Sequence, residues 1–146
     1  MQRCPRHFVA SKKLLEGDVA AALTEAFLKT DQDCISASRH GGGTTATCCY
    51  IRDGAVWVAS VGDSRCVLSR AGVAVELSND HVPSRADERA RIEAAGGKVL
   101  MLRNTPRVQG VLSVSRALGD KELKAAGVIG EPEITRELLR PQDEFL

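Results

Sequence analysis

The residues predict an α+β fold, with a helical N-terminal segment followed by antiparallel strands joined by short turns. Three observations carry that expectation. Leu15, Val19, Ala22, Leu23, Ala26 and Phe27 recur at helical spacing and make one apolar stripe. From Thr44 onward, runs of small and β-branched residues alternate with the tight turn signals Asp53-Gly54 and Ala71-Gly72. The run Ala55–Val61 is apolar on both faces, with Val56 and Val58 on one and Trp57 and Val61 on the other. A strand of that kind must be covered on both sides, so it belongs at the centre of a sheet.

Taken in order, residues 5–38 read as two helices, a short one before Gly17 and a longer one after it, with Asp18 as N-cap. Glu16, Lys29 and Asp31 fall off the apolar stripe. Residues 36–43 read as a connector ending in His40-Gly41-Gly42-Gly43. This string is not an oxyanion loop, because no G-x-S-x-G nucleophile elbow accompanies it. It is not a phosphate-binding P-loop either, because Gly43-Thr44-Thr45 lacks the lysine. Glycines that admit a close backbone approach into a strand are the remaining reading.

Strands are expected at 44–52, 55–61, 65–70 and 73–78, forming a four-stranded meander. In that meander Gly62-Asp63-Ser64 is the tip of a hairpin between two buried strands. Ser84-Arg85-Ala86-Asp87 resembles a capping box opening a helix that Pro83 precedes and Gly96-Gly97 stops. The heavy charge on that helix reads as a solvated face. Short strands at 98–102 and 107–114 flank a polar loop of residues 103–106. A turn with a short helix covers 115–126, and a further strand covers 134–138. Phe145 and Leu146, directly after the turn Arg140-Pro141-Gln142-Asp143, read as the opening of another strand, which suggests a fold cut short there.

Composition excludes several classes. A chain of 146 residues with 43% apolar and 27% charged residues suits one globular domain. A formal net charge of +1 offers no electrostatic footprint for nucleic acid or a membrane surface. No apolar run approaches a membrane span, and Met1–His7 lacks the apolar segment of a secretory signal. Cys4, Cys34, Cys48, Cys49 and Cys66 are odd in number and contain no C-x-x-C spacing. Reduced, mostly buried thiols in an intracellular protein, cytoplasmic or nuclear, are expected.

Several strings together resemble the metal-dependent protein serine/threonine phosphatases (the PPM, or type-2C, family). They are Gly42-Gly43-Thr44-Thr45-Ala46, Val58 to Arg65, Leu77-Ser78-Asn79-Asp80-His81-Val82-Pro83, Arg91 to Gly97, Arg107 to Asp120, and Glu131-Pro132-Glu133-Ile134. The resemblance implies a partial antiparallel β-sandwich flanked by helices on both outer faces, with residues 1–146 forming part of one domain. Residues 1–41 would be its helical hairpin and connector, and 42–146 its sandwich strands, flap and helix. It also implies hydrolysis of phosphoserine and phosphothreonine in partner proteins by water activated on Mg²⁺ or Mn²⁺.

Of the family's metal positions, the resemblance carries over only Asp63, which matches the aspartate that helps hold a third, weaker metal. Arg107 resembles a flap arginine on the substrate-phosphate side. The family's Asp-Gly-His-Gly-Gly string and its later acidic positions have no counterpart here, so this chain alone is expected to be inactive. An alternative is a catalytically silent phosphatase relative acting as an interaction module. The chain is expected to be a monomer, with exposed sheet edges permitting self-association. His81 reads as a structural turn residue, Trp57 as core, and Asp120 as a partner of Arg116 or a cap for the next turn. Ser64 lacks the histidine activator that a nucleophile needs.

Overall fold

The computed structural model describes residues 3–38 and 41–146, so the His40 end of the glycine string lies outside the described residues. Its elements begin with the helices α1 (Arg3–Val9), α2 (Lys12–Leu15) and α3 (Val19–Ala37). The strands β1 (Gly43–Thr44), β2 (Ala46–Arg52), β3 (Ala55–Val61), β4 (Val67–Arg70) and β5 (Val73–Glu76) follow. Next come α4 (Ala86–Ala94), β6 (Val99–Leu102), β7 (Thr105–Val108), β8 (Leu118–Gly119) and α5 (Lys121–Lys124). The order closes with β9 (Glu133–Leu138) and β10 (Asp143–Phe145). No described helix is long and apolar enough to cross a membrane.

Strand β3 is central, between β2 and β9, and nearly all of it is buried. Its two apolar faces divide as their alternation requires. Val56 and Val58 pack on Leu68 of the facing sheet, ordered β10-β4-β5, and on Cys66 and Leu77, which flank its strands. Ala59 and Val61 pack instead on Val19, Leu23, Ala26 and Phe27 of α3, with Trp57 against their edge. The result is a helix layer, a sheet and a second sheet, all antiparallel. Among the described residues the helical hairpin covers the outer face of the β2-β3-β9 sheet. Helix α4 lies elsewhere, where Ile92 packs with Val108, Val114, Ala117 and Val128 in a separate core beneath the β6-β7 flap.

The meander does not form as expected. β3 pairs with β2 and β9, whereas β4 pairs with β5 and β10, so residues 62–66 cross from one sheet to the other instead of closing a hairpin. The groups that a hairpin would pair go elsewhere: Ser64 O accepts from Thr47 Oγ1 at 2.7 Å and Cys66 N donates to Ser78 Oγ at 2.8 Å. The first expected strand is also broken, because Gly43 and Thr44 turn away to pair with Gly119 and Leu118. Phe145 lies in a strand, with β10 held against β4 by the Arg70–Asp143 ion pair at 2.6 Å.

Local signals hold in places. Asp18 caps α3 by accepting from the Ala21 N–H at 3.0 Å. The segment before Gly17 is two short helices rather than one, because Ser11 opens α2 as an N-cap. Leu15, counted in the apolar stripe, is 86% exposed, while Asp31, placed off it, is buried. The capping box does not form: Arg85 is the N-cap residue of α4 and makes no side-chain cap bond. The flap loop is shorter than expected, since Arg103 and Asn104, both at positive φ, make a two-residue turn and Thr105 and Pro106 are already in β7. The strand expected through Val114 ends at Val108, where Val108 N donates to Leu112 O at 2.8 Å across a turn.

Candidate active site

The crossover out of β3 begins at Gly62, whose φ of +91° favours glycine and whose missing Cβ leaves room for the Thr45 side chain. His81 fastens this turn. Its backbone N–H and its ring Nδ1 both bond to the Gly62 carbonyl, at 3.0 and 3.1 Å. His81 Nε2 lies 3.3 Å from Glu133 Oε2 without making a hydrogen bond. Burial, helped by the nearby Arg116 charge, lowers the imidazole pKa and keeps the ring neutral. Arg65, two residues beyond Asp63, clasps Asp80 through two bonds of 2.8 and 2.7 Å. Asp63 is thus exposed on a turn pinned on both sides, and no hydrogen bond or ion pair from the described residues reaches its carboxylate.

The opposite wall is built by β1 and β8. Gly43 sits against Gly119, and a Cβ at residue 43 would run into the Asp120 carboxylate. Asp120 is held at φ +48° by its N–H bond to Gly42 O at 2.8 Å. Behind it, buried Asp31 accepts from the Gly119 N–H at 2.7 Å and pairs with Lys124 at 2.8 Å. Asp63, Asp120, Thr45, Leu112, Ser113 and Val114 line a cleft of about 220 Å³. Burial raises the pKa of Asp120, and the Lys124 charge opposes that rise.

The structure places the sequence-derived candidates as follows. Asp63 lies on the cleft. Arg107 lies on β7 outside the cleft lining, its Nη1 donating to Val111 O at 2.7 Å and its buried Nε without a hydrogen-bond partner among the described residues. His81 is wholly buried in a structural role. Ser64 shares a hydrogen bond of 2.7 Å with Thr45, and no histidine among the described residues bonds to it. Trp57 is half-buried, with the Arg136 guanidinium 5.3 Å from its ring centroid.

Other expectations change. Asp120 neither pairs with Arg116 nor makes a side-chain cap bond. Arg116 instead meets Glu88, on the helix read as a solvated face. Glu88 is fully buried and accepts from Ser115, Arg91 and Arg116. Burial alone would raise its pKa, but these donors override it and hold the carboxyl far below its usual range. A signal for Glu88 was present: it stands four residues before Ile92, on the face that α4 buries. The thiols are less buried than expected, with Cys66 buried, Cys4, Cys34 and Cys48 half-buried and Cys49 exposed.

Asp63 and Asp120 are hard oxygen donors of the kind Mg²⁺ or Mn²⁺ takes, and Thr45 and Ser113 add hydroxyls nearby. Among the described residues, no group of three or more His, Cys, Asp or Glu side chains could hold a metal ion. Two carboxylates are fewer oxygen ligands than such a cation takes.

The fold is thus an antiparallel α+β scaffold with two aspartates lining a cleft where the chain crosses between sheets. The chain belongs to the protein phosphatase 2C family, whose model matches residues 2–146. It is 46% identical over 132 residues to "Probable protein phosphatase 2C member 13, mitochondrial" of Oryza sativa subsp. japonica, covering 88% of this chain and 36% of that protein. It is 47% identical over 133 residues to "Probable protein phosphatase 2C 69" of Arabidopsis thaliana, covering 88% of this chain and 37% of that one. The structure of a C. elegans sex determining protein superposes with a TM-score of 0.80 at 29% identity, over 86% of this chain and 32% of that chain. A serine-threonine phosphatase 2C from Toxoplasma gondii, at 23% identity, shares the fold with a TM-score of 0.79, over 95% of this chain and 54% of that one. The chain spans about a third of the length of the curated relatives it matches.

Proposed function

We propose that these residues supply one wall of the active site of a metal-dependent protein serine/threonine phosphatase, acting on phosphoserine and phosphothreonine in partner proteins. The observation that supports this reading best is Asp63: a carboxylate with no partner among the described residues, on a pinned turn, sharing a cleft with Asp120. In this reading Asp63 is a ligand for Mg²⁺ or Mn²⁺. The bound cation lowers the pKa of its water and neutralises phosphoryl charge. His81 and Arg65 keep Asp63 in place. Arg107, tied to the carbonyl of Val111 beside the cleft-lining Leu112, is the proposed contact on the substrate-phosphate side. The proposed setting is a monomer in a reducing intracellular compartment, cytoplasmic or nuclear, in keeping with five free thiols.

Two carboxylates do not make a closed metal pair, so the activity is assigned to the complete domain. The test is hydrolysis of a phosphothreonine peptide with Mn²⁺. The 146-residue chain should give a rate equal to the buffer blank. A longer protein that contains it should turn over, with an Mn²⁺ requirement that Asp63→Ala shifts to higher concentration. Turnover by the 146-residue chain itself, abolished by Asp63→Ala, would refute this division of labour. An inactive longer protein would favour the interaction-module alternative.

A further inference from the structure

The sulfurs of Cys49 and Cys66 stand 3.3 Å apart, within contact of each other. One belongs to a sheet and the other to the segment that leads into the second sheet. Cys49 lies on β2, opposite Val58, and Cys66 lies at the end of the crossover, directly before β4. Strand alternation settles which neighbour takes part: Cys48 points to the other face of β2 and packs against the α1–α3 core, whereas Cys49 faces the second sheet. Cys66 is 7% exposed and packed among Val56, Val58, Leu68 and Leu77, while Cys49 is open to solvent. One accessible thiol backed by one buried thiol in contact is the arrangement of an attacking and a resolving cysteine.

We propose that Cys49 and Cys66 form a thiol–disulfide exchange site for low-molecular-weight disulfides, and that its oxidised form fastens the two sheets together at the crossover. The Cys49 thiolate attacks one sulfur of a glutathione disulfide, and the first glutathione thiolate leaves with the bonding electron pair. The Cys66 thiolate then attacks Cys49 Sγ in the mixed disulfide, forming the Cys49–Cys66 bond and releasing the second glutathione. Two protein thiol protons are lost, two glutathione thiols are gained, and the protein gives up two electrons. The bond needs the sulfurs to approach by only about 1.3 Å to reach the usual length near 2.05 Å. The segment it encloses contains Gly62, Asp63, Ser64 and Arg65, so oxidation restrains the turn that carries Asp63. Although Cys49 as a residue is exposed, its sulfur is desolvated where it lies against Cys66, which pushes the thiol pKa up to about 12, so exchange at neutral pH is slow and is followed over hours.

The experiment incubates the reduced 146-residue chain with oxidised glutathione, blocks the remaining thiols and maps tryptic peptides without reductant. The expected product joins peptide 40–52 to peptide 66–70, survives in Cys48→Ser, is absent from Cys49→Ser and disappears on adding dithiothreitol. The oxidised chain should melt about 5 °C or more above the reduced one, as closing a loop in the unfolded state requires. Five thiols still free, glutathione retained on Cys49, persistence of the cross-link in Cys49→Ser, or an unchanged melting temperature would each overturn the proposal.

Discussion

Glu88 and Asp63 carry the same functional group in opposite surroundings. Glu88 has no exposed surface and is saturated by Ser115, Arg91 and Arg116, so it joins α4 to the segment that runs into β8. Asp63 is exposed, and no described residue bonds it, although the backbone beneath it is held by His81 and Arg65. One carboxylate has its charge spent inside the fold. The other has its position fixed and its charge left over, which is the state a ligand for a hard cation needs. The comparison teaches that acidic character alone does not mark a site. The proposed ligand, Asp63, combines a rigid backbone with an unspent side chain.

The largest effect should come from Glu88→Gln. Removing the charge leaves Arg91 and Arg116 uncompensated in a buried place, which costs about 3–5 kcal/mol of unfolding free energy, read from urea denaturation. A loss below about 1 kcal/mol would show that the network is relaxed or hydrated. His81→Ala comes next. It removes a buried ring and one of two donors to Gly62 O, for a cost of about 2–3 kcal/mol. It should also weaken cation binding at the neighbouring Asp63, whereas a purely stabilising role would leave that binding unchanged once folded protein is measured.

Acid separates the two buried groups. The folded pKa of His81 lies below its ordinary 6.5, so the unfolded chain takes up the proton first. Its contribution is complete above about pH 6.5 and is lost as pH falls from there toward the folded value. Glu88 is also depressed, so its contribution persists to lower pH and is lost only as pH falls below the ordinary carboxylate value of 4.5. Melting temperature followed from pH 7 to 3 should show two declines, and His81→Asn should remove the upper one. Arg136→Ala, which takes the cation from the half-buried Trp57, should cost about 0.5–1 kcal/mol. Asp63→Ala should change stability by less than about 0.5 kcal/mol while abolishing whatever Mn²⁺ affinity the chain has, measured by calorimetric titration. A large stability change there would mean that Asp63 is spent in the fold after all.

Much of the fold was legible in the residues. The two-faced apolarity of Ala55–Val61 placed β3 between a helix layer and a second sheet, because alternation assigns each side chain a face before any partner is known. Asp18 and Asp53-Gly54 were legible because caps and two-residue turns are decided within a few residues. The partner of β3 was not legible. Local spacing suits a hairpin with β4, and only the competing claims of β9 and β10, some 70 residues away, send the chain across. The resemblance pointed to Asp63, while the place of Asp120 on the same cleft and the buried role of Glu88 were not legible. Asp63 and Asp120 come to line one cleft beside the pairing of Gly43 with Gly119, and Glu88 finds Arg116 across 28 residues.

By itself, then, the sequence determined the order of helices and strands, the central place of Ala55–Val61 and the family to which the motifs point. The order of elements and the central strand follow from periodicities and turn chemistry that act over a handful of residues, and the family from the resemblance of the motifs. Only the tertiary structure decided which strands pair, which carboxylate is consumed and which is left open, and that Cys49 rather than Cys48 touches Cys66. Those outcomes depend on contacts between distant segments, where each buried polar group is settled by whichever partner the packing brings within reach.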